Sequence, residues 1–172
     1  MRRMTRPITV LVLCTGNSAR SILGEVLINE LGGGRLRAFS AGSHPTGRVN
    51  PGALAKLRRE GHAVTGLASK SWEQFNGPDA PIVDIVITVC DNAAGESCPV
   101  WRGSPVTAHW GIPDPAIDTD DTALIDAAFD RAYASLRGRI EALLALPVAT
   151  MTDADLAAAL QQIHVLRGGA AA

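Results

Sequence analysis

The tightest constraint on this chain is a junction near its start. Ile8 to Leu13 is an apolar run, the signature of a strand buried on both faces of a parallel sheet. Ile22, Leu23, Val26, Leu27 and Leu31 then recur at helical spacing, in a helix that opens near Ser18 and stops at Gly32-Gly33-Gly34. Between strand and helix lies Cys14-Thr15-Gly16-Asn17-Ser18-Ala19-Arg20-Ser21. A strand that turns abruptly into a helix leaves the first backbone N–H groups without partners, and these converge with the positive end of the helix dipole on a point that attracts an anion. Gly16 and Asn17 tolerate the left-handed backbone that turns successive N–H groups inward. Arg20 supplies a planar fork matching two oxygens of a tetrahedral oxyanion. Thr15, Gly16, Asn17, Ser18, Ala19, Arg20 and Ser21 are therefore the expected oxyanion-binding residues, with Cys14 as nucleophile on the floor. Its pKa is expected to be lowered into the range of about 3.5 to 7.5 that activated cysteines show, with Ser21 placed to donate to the sulfur. Without that context, Cys-x5-Arg would mean a buried cysteine beside a surface arginine.

The rest of the chain alternates in the same way. Leu36 to Ala41 reads as strand two, Pro81 to Cys90 as a β-branched strand three, and Pro105 to Trp110 as strand four. Asn50-Pro51 offers a cap and a first-turn proline for a helix through about Arg59, with Lys56, Arg58, Arg59 and Glu60 on its solvated face. A proline- and aspartate-rich loop, Gly111 to Asp118, precedes a long amphipathic helix from Asp121 to Leu146, which Pro147 ends. Thr152 is a plausible cap for a shorter helix with Leu156, Leu160 and Ile163 on its apolar side. The Gly168 to Ala172 tail is expected to fray. His44 reads as an exposed loop histidine, and His62, Lys70 and Trp72 fall in an irregular connection. The expected fold is a single three-layer α/β domain, a four-stranded parallel sheet of order 2-1-3-4 with helices on both faces. Residues 1–150 form its body and 151–172 a C-terminal helical extension of the same domain. Ligands in such sheets gather beyond the carboxyl ends of the strands, so Cys14, Cys90 and Asp114 should line one rim.

The chain's 172 residues, 47% of them hydrophobic, carry a net charge of -1, which fits one domain with a real core and gives no reason to expect a nucleic-acid partner. Three widely spaced cysteines argue against a secreted disulfide scaffold and for reactive thiols in a reducing compartment, hence the cytoplasm. Met1 to Cys14 resembles the start of a secretory or lipoprotein signal, but its apolar part is short and runs into Arg20 and Glu25. No stretch approaches the roughly 20 apolar residues that span a bilayer, so no membrane contact is expected, and the protein is expected to be a monomer.

With these motifs in place, the chain resembles the thiol-coupled arsenate reductases of the low-molecular-weight tyrosine phosphatase fold. The resemblance rests on the Cys14 to Ser21 loop, on Val89-Cys90-Asp91-Asn92-Ala93, on Cys98-Pro99-Val100-Trp101 and on His109-Trp110-Gly111-Ile112-Pro113-Asp114-Pro115-Ala116. It spans roughly residues 8 to 146. It implies that arsenate is the substrate, that Cys14, Arg20, Cys90, Cys98 and Asp114 are catalytic, and that Asp114 is the general acid. A Cys14 to Cys90 disulfide would then pass to Cys90 and Cys98 and be reduced by thioredoxin, or by glutaredoxin with glutathione. No bound metal or organic cofactor is required. In the order 2-1-3-4, strands one and three are neighbours about 4.8 Å apart, and a disulfide needs Cα atoms within about 7 Å. Cys14 and Cys90 can therefore meet after modest loop motion. Cys90 and Cys98 are eight residues apart, one more than is usual in the family, and as one helix they would be separated by about 12 Å. Residues 91–97 are accordingly expected to be a loop or a helix that unwinds.

Some relatives bind potassium through residues matching Asn17, Glu25 and Ser40, but Ser69 stands here where a further acid would be expected. Zinc held by Cys90, Cys98 and His109 matches none of the usual ligand spacings. Trp101 and Trp110 read as packing or rim residues, and His109 as orienting the Asp114 loop or packing. Two other functions fit the loop: a phosphotyrosine phosphatase and a non-catalytic oxyanion sensor. The phosphatase has no need of Cys90 and Cys98, and this chain has Ala116 where the family's phosphatases usually carry an aromatic after Asp-Pro.

Overall fold

The computed structural model describes residues 6–91, 95 and 99–168. Four parallel strands, β1 (Ile8–Leu13), β2 (Leu36–Ala41), β3 (Ile85–Thr88) and β4 (Val106–His109), lie in the order β2-β1-β3-β4. This is the expected order, with β1 and β3 adjacent at the centre. Leu13 pairs with Ala41 on one side and Thr88 on the other, so the segments that follow the three strands leave the same edge of the sheet together.

The residues of β1 divide by parity. Val10 and Val12 belong to the main core, while Leu11 and Leu13 face a smaller cluster with Phe75, Val86 and Trp101. The main core is packed by α1 (Arg20–Leu31), α2 (Pro51–Arg59), α3 (Thr122–Leu144) and α4 (Asp153–Gly168). Gly24 lets α1 close on the sheet, since a Cβ there would lie 3.1 Å from Val12 Cγ1. The smaller cluster is covered by Trp101 and a 3-10 turn, Trp72–Phe75.

Three helix starts follow the sequence. Asn50 Oδ1 accepts from Gly52 N–H at 2.8 Å, Asp121 Oδ1 from Ala123 N–H at 3.0 Å, and Thr152 Oγ1 from Asp155 N–H at 3.1 Å. The long helix is slightly shorter than expected, with Asp121 as its cap. Strand three is also shorter than Pro81 to Cys90. Pro81 has no N–H to give, Val83 donates its own to Arg102 C=O at 2.9 Å, and only Ile85–Thr88 enter the ladder. Lys56 corrects the expected solvated face: it is buried, with Nζ 2.6 Å from Glu60 Oε1 and 2.9 Å from Asp130 Oδ1, over the Tyr133 ring. Charged side chains do enter interiors when they arrive paired.

Residues 91–97, expected as a loop or a helix that unwinds, lie outside the described residues except for 91 and 95, and Cys98, residues 1–5 and the tail after Gly168 lie outside them altogether. Among the described residues no helix is long and apolar enough to cross a membrane.

Candidate active site

The loop from Cys14 to Ser21 is shaped by what holds its carbonyls. Thr15 C=O accepts from His44 N–H at 2.9 Å, Gly16 C=O from Thr46 N–H at 3.0 Å and Ser18 C=O from Asn50 N–H at 2.8 Å. Ser69 Oγ donates to Gly16 C=O at 3.1 Å. Carbonyls turned outward leave the N–H groups of the same peptides to the inside of the loop. The N-cap of α1 is Ala19, which makes no side-chain cap bond, so the helix start presents its donors to the same space.

Asn17 is the left-handed residue that turns the loop, at φ +44°. Gly16 is outside that region, so the expectation that both adopt it holds only for Asn17. The Asn17 side chain is fully buried, donating from Nδ2 to Ser21 Oγ at 2.8 Å and accepting at Oδ1 from Lys70 N–H at 2.8 Å. The Ser21 hydroxyl accepts from Asn17, a contact that leaves its own proton for the expected donation to sulfur.

Cys14 and Cys90 are both buried free thiols, on segments that leave the neighbouring strands β1 and β3. Cys90 Sγ accepts from Thr15 N–H at 3.4 Å and lies 3.6 Å from Thr15 Oγ1. Cys90 corrects the expected activation of Cys14. Its thiol is held above the ordinary value, first by the hydrogen bond with Cys90, then by burial and by Coulombic repulsion from Cys90. The Arg20 charge and the Gly16 N–H pull the other way and are outweighed. Two neighbouring thiolates repel each other, so a second negative charge on the pair is disfavoured.

Arg20, Cys90 and Asp114 line one cavity of about 590 Å³ at the carboxyl edge of the sheet. Arg20 Nη1 donates to Ile112 C=O at 2.7 Å, Nη2 lies 3.6 Å from Asp114 Oδ2, and Nε is buried without a hydrogen-bond partner. A buried guanidinium donor left unmatched is costly, and it belongs to the residue expected to grip an oxyanion. Asp114 is more than half exposed, and its Oδ1 accepts from Ala116 N–H at 3.0 Å.

The cavity has a second wall that the sequence pointed to only in His109. Asp91, His109 and, from the C-terminal helix, His164 face the same space. His109 bonds to Asp91 and to Thr88 and lies against Gly111, where the Asp114 loop begins. Trp110 is fully buried, donating from Nε1 to Leu160 C=O at 3.0 Å, and so ties α4 to the end of β4. The potassium ligands suggested by resemblance are otherwise occupied. Glu25 Oε1 accepts from Ser40 N–H at 2.8 Å and from Ser40 Oγ at 3.1 Å, and lies 3.6 Å from Lys70 Nζ. Among the described residues no group of three or more His, Cys, Asp or Glu is placed to hold a metal ion.

Residues 9–159 match the low molecular weight phosphotyrosine protein phosphatase family. The chain belongs to that family. Among its relatives, "Arsenate reductase 1" of Staphylococcus epidermidis is 33% identical over 108 residues, which are 63% of this chain and 78% of the relative. "Glutaredoxin arsenate reductase" of Synechocystis is 31% identical over 106 residues, 62% of this chain and 77% of the relative. The crystal structure of arsenate reductase from Archaeoglobus fulgidus superposes with a TM-score of 0.61 at 26% identity, covering 80% of this chain and 99% of that one.

Proposed function

We infer that this protein is an arsenate reductase, in which arsenate held by the loop N–H groups and Arg20 is reduced by Cys14 and Cys90. The observation that carries the reading is a second buried free thiol, Cys90, whose sulfur accepts from the N–H of Thr15, the residue after Cys14 in the anion-shaped loop. A phosphatase needs one thiolate, whereas a reductase needs two electrons, which a pair of thiols supplies on forming a disulfide. The arsenate reductases among its relatives support the same choice.

Cys14 thiolate attacks arsenic, and Asp114, when protonated, donates to the departing oxygen so that water leaves. Cys90 thiolate then attacks the Cys14 sulfur. The sulfur–arsenic bond breaks with its electron pair left on arsenic, As(V) becomes As(III), and a Cys14 to Cys90 disulfide forms. The Cys90 proton leaves with the arsenite or to solvent. Cys98 then attacks Cys90, freeing Cys14, and the new disulfide is reduced by exchange with an external dithiol of the thioredoxin or glutaredoxin class.

The test is NADPH consumption with thioredoxin reductase and thioredoxin, with and without arsenate, for the wild type and for Cys90→Ser and Cys98→Ser. Arsenate-dependent turnover lost in both variants supports the three-thiol relay. Turnover only with glutaredoxin and glutathione keeps the chemistry and changes the reductant. Activity confined to an aryl phosphate and indifferent to Cys90→Ser would make the protein a phosphatase, and saturable anion binding with no thiol oxidation would make it a sensor.

A further inference from the structure

We propose that His109 is a positioning residue. By latching Asp91 to the end of β4, it holds the adjoining Cys90 thiol in place for attack on the Cys14 adduct. The inference rests on the arsenate-reduction reading and adds a residue that has no part in the chemistry above.

Both ring nitrogens of His109 are engaged. Nδ1 lies 2.7 Å from Thr88 Oγ1, and Nε2 lies 2.9 Å from Asp91 Oδ1. Thr88 is the residue paired with His109 across the β3–β4 ladder, so one contact joins strand to strand, and the other reaches past Cys90 to the residue after it. The ring therefore cannot turn without breaking one of them. Its backbone is equally fixed. The neighbouring Trp110 donates its N–H to Thr88 C=O at 2.7 Å and its indole N–H to Leu160 C=O. From α4, the His164 ring stands 6.1 Å from the His109 ring, centroid to centroid.

Gly111 supplies a separate line of argument. A Cβ at this position would lie 2.9 Å from Asp91 Oδ1 and 3.0 Å from His109 Nε2, inside the contact itself. Gly111 is not among the glycines at positive φ, so backbone strain does not require glycine here; a Cβ would instead press the Asp91 carboxylate and the His109 ring apart. Stability is a poor explanation for the contact, because the Asp91 side chain is 93% exposed and exposed pairs contribute little. What the latch can control is aim. Sulfur attacks sulfur in line with the bond that breaks, and a displacement of the order of 1 Å costs such a step about a hundredfold.

The experiment follows formation of the Cys14 to Cys90 disulfide by mass spectrometry and thiol labelling in a Cys98→Ser background. It uses a single turnover of arsenate and, separately, the thiol oxidant diamide. His109→Ala and Asp91→Ala should each slow bond formation by roughly ten- to a hundredfold in both reactions. The double variant should be no slower than either alone, the non-additivity of residues acting as one contact. His109→Gln, which restores a side-chain donor, should recover most of the rate. Affinity for inorganic phosphate, which reads the loop alone, should stay within about twofold in all of them. Disulfide formation at the wild-type rate in His109→Ala overturns the latch, as does a parallel loss of phosphate affinity. A wild-type protein that forms the disulfide with diamide but never with arsenate overturns the arsenate reading, and the latch is then still decided by the diamide rates.

Discussion

Gly42→Ala is the substitution that tests the anion loop most directly, because Gly42 is not part of it. A Cβ on Gly42 would lie 2.4 Å from Thr15 O, 2.7 Å from Cys14 O and 3.0 Å from Asn17 N. Residue 42 cannot retreat, since its N–H donates to Lys70 C=O at 2.9 Å and its C=O accepts from Trp72 N–H at 2.9 Å. The Thr15 carbonyl would have to move by at least about 0.6 Å merely to reach the shortest tolerated contact, in an interior packed too closely to absorb it. That carbonyl is also the acceptor for His44 N–H, and its displacement rotates the peptides whose N–H groups face the anion. Overpacking of this kind costs about 1–3 kcal/mol of stability, equivalent to a fall in Tm of roughly 3–9 °C for a domain of this size. Misplacing the cradle should cost arsenate turnover about a hundredfold. Calorimetry with inorganic phosphate, thioredoxin-coupled turnover and a thermal melt measure the three effects. A variant that binds phosphate and turns over within about threefold of wild type, against the hundredfold expected of a displaced site, would refute the idea that this backbone approach shapes the loop.

Other perturbations probe separate contacts. Cys90→Ala removes the largest contribution raising the Cys14 pKa. Iodoacetamide should then modify Cys14 faster at neutral pH, about threefold for each unit by which its pKa falls, since the thiolate becomes more abundant but less nucleophilic, and an unchanged or slower rate would contradict this effect of Cys90 on Cys14. Trp110→Phe deletes the indole bond to Leu160 C=O. Urea unfolding should show a loss of about 1 kcal/mol, with earlier proteolysis of α4. Lys56 holds Asp130 and Glu60 below their ordinary carboxylate values, chiefly through its hydrogen bonds to them. A depressed folded value means a contribution that is complete above the ordinary value and lost as pH falls through the folded one. The melting temperature should therefore fall as pH drops below about 4, less steeply in Asp130→Asn.

The parts of the fold legible in the sequence were those written in contiguous residues. Ile8 to Leu13 could only be a buried strand, and Asn50 and Thr152 cap helices because capping is a matter of two or three neighbouring residues. The Cys14 to Ser21 loop was legible for the same reason. Contacts set by the folded chain were not. Lys56 was read by residue type as solvated, but its partner Asp130 comes from another helix and its cover is Tyr133. His164 gave no signal, because it reaches the cavity only when Trp110 has anchored α4. Strand order alone brings Cys14 and Cys90 to one edge of the sheet, but the effect of Cys90 on the Cys14 thiol depends on the folded approach of a second sulfur that no contiguous stretch encodes.

The position of Lys70 has a consequence for how this loop meets its surroundings. Its backbone N–H is bound by Asn17 and its C=O by Gly42, while its ammonium rests 2.9 Å from Ala68 O and 3.6 Å from Glu25 Oε1. A positive charge fixed by peptide bonds has no dissociation constant. It is present at every dilution, survives dialysis, and is indifferent to whether the buffer contains sodium or potassium. In this protein, one positive charge behind the anion loop is inherited with the chain.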